Sequence, residues 1–329
     1  MDFFRLADYR FAVLLNLRNP FLYYAAWLCS GALSLCLAQT DAGLKNALQL
    51  LTRAQSQASN AQRINLYEEA IEQCRLIAKT SSNYCAAQTV WAISLVDLAQ
   101  IVTQSIESAD YSHQAQTRLA LAEQCDPQSW LVHQTWGRLL LFEAERQPSA
   151  PKTAERLLVP AQLRFEKARQ AAAFKSDQAD ADYHASLCLI RRAEQTADRP
   201  QKLTLYAAAA RLCERAAQVT GFVKAAQVQG LWGVVLLEMG KLEGDRRSIR
   251  QGVERLQFSL KTSANDLQAR YNLACAYAVL EQSDLAIKEL RVCVEGDPTG
   301  KYRRAAEKDQ DFATLRHRDE FRELVPASN

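Results

Sequence analysis

The sequence predicts an all-α protein: a solenoid of about six helical hairpins, closed by a C-terminal capping helix and preceded by an apolar membrane or signal segment. Three observations carry this. Only 11 of 329 residues are Gly and 8 are Pro, while Ala, Leu, Gln, Glu and Arg abound, as helices prefer. No strand-like alternating run of convincing length occurs. One pattern, a bulky residue, then a small one, then an apolar one three further on, recurs along the chain. With 48% hydrophobic and 23% charged residues, the chain has material for a large core and is no disordered polymer.

The elements follow in order. Residues 1–20 carry Arg5, Arg10 and Arg18 and read as a cytoplasmic n-region. Residues 21–38, FLYYAAWLCSGALSLCLA, contain no charge over 18 positions. A spanning helix needs about 20 apolar residues, so this segment reads as a transmembrane anchor or as the h-region of a signal peptide cleaved near Ala38. Tyr23, Tyr24 and Trp27 gather at one end as an interfacial belt would; a buried first helix of the solenoid is a third reading. The arginines favour a cytoplasmic N-terminus and send the repeats across the membrane. The expected location is therefore membrane-anchored with an extracytoplasmic repeat domain, or secreted after cleavage. Cysteine usage pulls the other way. Cys74, Cys85, Cys125, Cys188, Cys213, Cys275 and Cys293 are an odd set at core-like positions, reading as small core hydrophobes rather than a disulfide framework.

The repeats occupy residues 42–300. First helices carry Asn46-Ala47, Trp91-Ala92, Trp136-Gly137, His184-Ala185, Trp232-Gly233 and Leu273-Ala274. Second helices are anchored at Ala70, Ala115, Ala161, Ala209, Gly252 and Ala286, with apolar or small residues four and seven further on. Small residues let two helix backbones approach closely. Ser82, Pro127, Ala173, Gly221, Ala264 and Pro298 fall where each unit must stop. Successive anchors lie 45, 46, 48, 43 and 34 residues apart, so the upstream hairpins are longer than the last, by about two to three helical turns. Breakers at Pro148 to Pro151, at Asp198 to Pro200 and at Gly240 to Asp245 predict their turns.

The last unit, YNLACAYAVLEQSDLAIKELRVCVEGDP, resembles a tetratricopeptide repeat through Leu273, Ala274, Tyr277, Ala286, Leu290 and Pro298; Arg270 departs where an aromatic is usual and Cys293 where alanine is. The resemblance implies a right-handed superhelical solenoid whose first helices line a concave groove that receives a peptide or helix from another protein. It also implies a closing element in residues 301–329, where Phe312, Leu315, Phe321 and Leu324 would cover the end of the stack. Carried onto this chain, the lining residues include Gln134, Arg138 and Phe142 in the third unit, Gln227 and Glu238 in the fifth, and Gln268 and Tyr271 in the sixth. Asn272 alone matches the clamp by which relatives hold a chaperone's carboxylate tail.

Forty basic against 37 acidic residues give a net charge of +3, which creates no strong field and indicates no nucleic acid. His113, His133, His184 and His317 stand far apart, and no Cys-x-x-Cys, glycine-rich phosphate loop or nucleophile elbow occurs. No catalytic residue, metal or cofactor is expected. The functional expectation is a non-catalytic scaffold that binds a protein partner in the groove of a membrane-tethered solenoid. Alternatives are a self-assembling structural protein and a secreted or cytosolic adaptor subunit of a larger complex.

Overall fold

The computed structural model describes residues 42–147 and 151–326. The described residues form α-helices, one 3-10 helix and no strand. They fall into two compact units that meet in sequence between Ala173 and Phe174. The first unit holds α1 (Ala42–Ser56), α2 (Asn60–Arg75), α3 (Tyr84–Ile101), α4 (Ser105–Cys125), α5 (Trp130–Glu145) and α6 (Pro151–Ala171). The second holds α7 (Lys175–Gln195), α8 (Arg199–Ala217), α9 (Ala225–Glu243), α10 (Arg246–Thr262), α11 (Leu267–Val279), α12 (Ser283–Gly296), α13 (Lys301–Lys308), the 3-10 helix (Gln310–Leu315) and α14 (Asp319–Leu324). Each unit has its own core. What residues 1–20 and 21–38 are expected to do lies outside the described residues, among which no helix is long and apolar enough to cross a membrane.

Consecutive helices pair as hairpins, α1/α2 through α11/α12. Gly221, after the fourth hairpin, and Gly244, in the turn between α9 and α10, take left-handed backbone at φ 74° and 72°, a conformation that L side chains rarely adopt. Asp198, Asp245 and Asp266 cap α8, α10 and α11 by accepting from free backbone amides of the first turn. The extra residues of the upstream units lengthen both helices: α9 and α10 run 19 and 17 residues, α11 and α12 only 13 and 14. Gly240, expected as part of a turn, lies inside α9; a Cβ there would stand 2.6 Å from Ile249 and 2.8 Å from the Asp245 carbonyl oxygen, so it is glycine for close packing.

The small positions do what their spacing implies. In the fifth hairpin a Cβ on Gly252 would lie 2.8 Å from the carbonyl oxygen of Gly233, and one on Gly233 2.9 Å from that of Gly252. Gly230 faces Ser259 and Gly240 faces Ile249, so the register runs antiparallel. In the third hairpin the ring of Phe165 fills the space above Gly137, 2.7 Å from where a Cβ would stand.

A second repeated device braces the hairpins. Three residues after the second-helix anchor stands Arg118, Arg164 or Arg255. Each guanidinium lies over the tryptophan of its own first helix: Arg118 at 3.6 Å from the Trp91 ring centre, Arg164 at 4.2 Å from Trp136 and Arg255 at 3.9 Å from Trp232. Each also bonds the residue four before the small position: Gln88 Oε1 at 3.2 Å, His133 Nδ1 at 3.1 Å and Gln229 Oε1 at 3.4 Å. The Nε2 of His133 lies 3.0 Å from the Pro127 carbonyl, which fixes the tautomer with Nδ1 as acceptor. The sixth hairpin keeps the contact with the charges exchanged, Arg270 on Glu289 at 2.7 Å. In the fourth, His184, Leu212 and Ala181 take the three positions, and Arg215 instead grips Asp182, Nε to Oδ2 2.7 Å. Trp91 is buried, whereas Trp136 and Trp232 are half-buried; in all three the guanidinium itself covers one face of the ring.

The cysteines require a correction. Cys85 and Cys125 form a disulfide, with Cα atoms 5.7 Å apart, joining the start of α3 to the end of α4. The other five described thiols, Cys74, Cys188, Cys213, Cys275 and Cys293, are buried and take part in no disulfide, as expected of core hydrophobes.

Candidate functional site

The first helices carry the residues expected to line a groove, and the structure divides them. In the first unit Gln134 is 1% exposed, packed inside rather than facing a partner. Arg138 is part-buried and donates to Asp97 of α3 at 2.6 Å, while Gln55 of α1 donates to the other oxygen at 3.3 Å. A carboxylate 4% exposed thus holds three first helices together, and Arg138 is committed to neutralising it. Phe142 is half-buried under the guanidinium of Arg146, 5.6 Å from the ring centre.

In the second unit Gln227 and Gln268 are exposed. Gln268 donates to Asn272 at 3.3 Å and accepts from Lys301 at 3.3 Å. Glu238 accepts from Lys241 at 2.8 Å. Tyr271, expected as an open groove residue, is 7% exposed. The C-terminal segment folds back over it: Tyr302 and Phe312 lie 5.4 and 5.7 Å from its ring centre, and its hydroxyl donates to Asp309 at 2.9 Å. Phe312, Leu315, Phe321 and Leu324 are all buried in one core with residues of α11 and α12. Arg138 belongs to the first unit and Tyr271 to the second.

Beneath this cap lies a polar cluster that sequence spacing does not reveal. Cys275, Asp309 and Asp311 bring ligand-type atoms within 4.8 Å of one another. Its charges are already answered. Lys241 of α9 donates to both Glu238 and Asp311, the latter at 2.9 Å, and the Cys275 thiol lies 3.6 Å from Asp309. Burial, reinforced by Asp309, raises the Cys275 thiol well above its usual range, so it stays protonated and is a poor metal ligand or nucleophile. Burial also raises Asp311 despite Lys241. The arrangement locks the cap to α9 and α11.

At the start of α7, Asp177 is raised from 3.8 to about 7, by burial first and by the charge of Asp180 second. Asp180 itself accepts from Lys224 at 2.5 Å. Compared with known proteins, the chain matches no protein-family model and no curated sequence.

Proposed function

We propose that the chain is a tetratricopeptide-like repeat scaffold, right-handed and superhelical, that holds a protein partner, an extended peptide or a helix, against its first helices. The partner is a protein and not a nucleic acid, no cofactor takes part, and residues 21–38 tether the scaffold to a membrane with the repeats on the far side. The observation that carries the reading is the bracing pattern. Equivalent arginines, tryptophans and acceptors hold the second, third and fifth hairpins together. Hairpins built as copies of one unit present rows of equivalent surface positions, which suit an elongated partner better than a small substrate. Gln227 and Gln268 are the exposed members of that row in the second unit, with Glu238 partly exposed beside Lys241. In the first unit Arg138 and Phe142 are the part-exposed members of the expected set, while Gln134 there and Tyr271 in the second unit are buried.

Photo-crosslinking amino acids placed at Gln227 and Gln268 of the full chain in its native membrane test this. The scaffold reading expects one defined protein adduct shared by the two positions and missing from Arg247 and Arg291 on the second helices. Adducts only at Arg247 and Arg291 would refute the first-helix face. Adducts only of the chain with itself would make the protein a self-assembling structure instead.

A further inference from the structure

The described cysteines divide by exposure. Cys125, at the last position of α4, is exposed, and Cys85, in the first turn of α3, is half-buried; these two are the ones joined. The five described thiols outside the disulfide are between 0% and 5% exposed. An exposed free thiol is what an oxidising compartment attacks, and a chain folded among reducing thiols has no need to pair its accessible cysteines while burying the rest. We propose that Cys85 and Cys125 are an oxidative modification site, crosslinked in the cell by a disulfide-bearing thiol oxidant, and that the repeat region therefore matures in an oxidising compartment. This bears on the same location as the tether but draws on none of residues 1–38, so the two fail separately.

The chemistry balances without a metal. The accessible Cys125 thiolate attacks one sulfur of the oxidant's disulfide and expels the other as a thiolate. The Cys85 thiolate then attacks the mixed disulfide at Cys125 and releases the second oxidant sulfur. Two protons leave the cysteines, two electrons pass to the oxidant, and the oxidant departs as a dithiol. Placement favours this pair. The two residues sit at the open end of the α3/α4 hairpin, 40 positions apart in sequence and 5.7 Å apart at Cα, within disulfide reach. The other thiols are kept from exchange by their surroundings: burial pushes Cys74, Cys213 and Cys293 up to about 12.

Cells expressing the full chain are quenched in acid, denatured and treated with a mass-tagged maleimide before or after reduction. Reduction should expose two further tags, mapped to Cys85 and Cys125, and none in Cys85→Ser. That difference is the same whether the cell cleaves residues 21–38 after export or keeps them as an anchor, and the mature N-terminus reports their fate independently. Full tagging of Cys85 and Cys125 before reduction overturns the proposal. As a second measurement, purified reduced chain in detergent is exposed to glutathione disulfide while folded. It should lose two thiols as an internal bond and keep Cys74, Cys188, Cys213, Cys275 and Cys293; consumption of a buried thiol in place of that bond also overturns it.

Discussion

Replacing Gly252 by alanine adds one methyl group where the α9 and α10 backbones touch. The new carbon would stand 2.8 Å from the Gly233 oxygen and 3.2 Å from the Leu237 nitrogen. Both are backbone atoms, so no side chain can rotate away and the helices must part. Overpacking of this kind costs about 1–3 kcal/mol. Against it stands a gain of about 1 kcal/mol, because alanine favours helix over glycine. Gly230→Ala separates the two effects: its Cβ would meet only the Ser259 side chain, Oγ at 3.1 Å, which can turn aside. Gly230→Ala should keep the propensity gain, and Gly252→Ala should lie about 1–3 kcal/mol below it, several degrees of melting temperature in a unit of this size. Thermal unfolding followed by circular dichroism, with hydrogen exchange read on α9 and α10, measures both. Equal stabilisation by the two variants would refute the close approach.

Three further outcomes follow from single groups. Cys85→Ser opens a loop spanning 40 residues, for which chain entropy gives about 4 kcal/mol of lost stability, read as a lower urea midpoint in the non-reduced protein and no change in the reduced one. Asp177 holds a proton in the folded state up to about pH 7 but ordinarily loses it near 3.8, so its contribution is present below 3.8 and is lost as pH rises to about 7. Asp177→Asn should raise the melting temperature most above pH 7, with the gain shrinking towards pH 4; a gain that grows on acidification would show the sign to be wrong. Tyr271→Phe keeps the contacts with Tyr302 and Phe312 but removes the bond to Asp309, costing about 1–3 kcal/mol, visible as faster hydrogen exchange in residues 301–324.

The hairpins were legible because a small residue at a helix crossing is dictated by what it must leave room for: the facing backbone at Gly233 and Gly252, and the Phe165 ring at Gly137. Caps and stops were legible for a similar reason, since Asp198 and Gly244 answer local backbone requirements. The braces were not. An arginine is ordinary on an outward helix, and only the constant offset of Arg118, Arg164 and Arg255 from their anchors could have marked them. Predicted helix ends could have paired Cys85 with Cys125, because one opens α3 and the other closes α4. Tyr271 was misplaced as a groove residue because what covers it lies more than thirty residues further on, at Tyr302, Asp309 and Phe312, and periodicity within a helix carries no information about that return. Of the candidate site, Gln227 and Gln268 are exposed as a binding face requires, while Arg138 is committed to Asp97.

The central claim is that the hairpins are copies of one braced unit, and double-mutant cycles on the three equivalent pairs test it most directly. Trp91/Arg118, Trp136/Arg164 and Trp232/Arg255 are each replaced singly and together by leucine and methionine, and coupling energies are taken from chemical unfolding with hydrogen exchange on the affected hairpin. The shared geometry predicts favourable coupling of about 0.5–2 kcal/mol in all three, the range for a guanidinium on an indole from exposed to desolvated. Coupling in one pair with none in the other two would contradict a repeated brace.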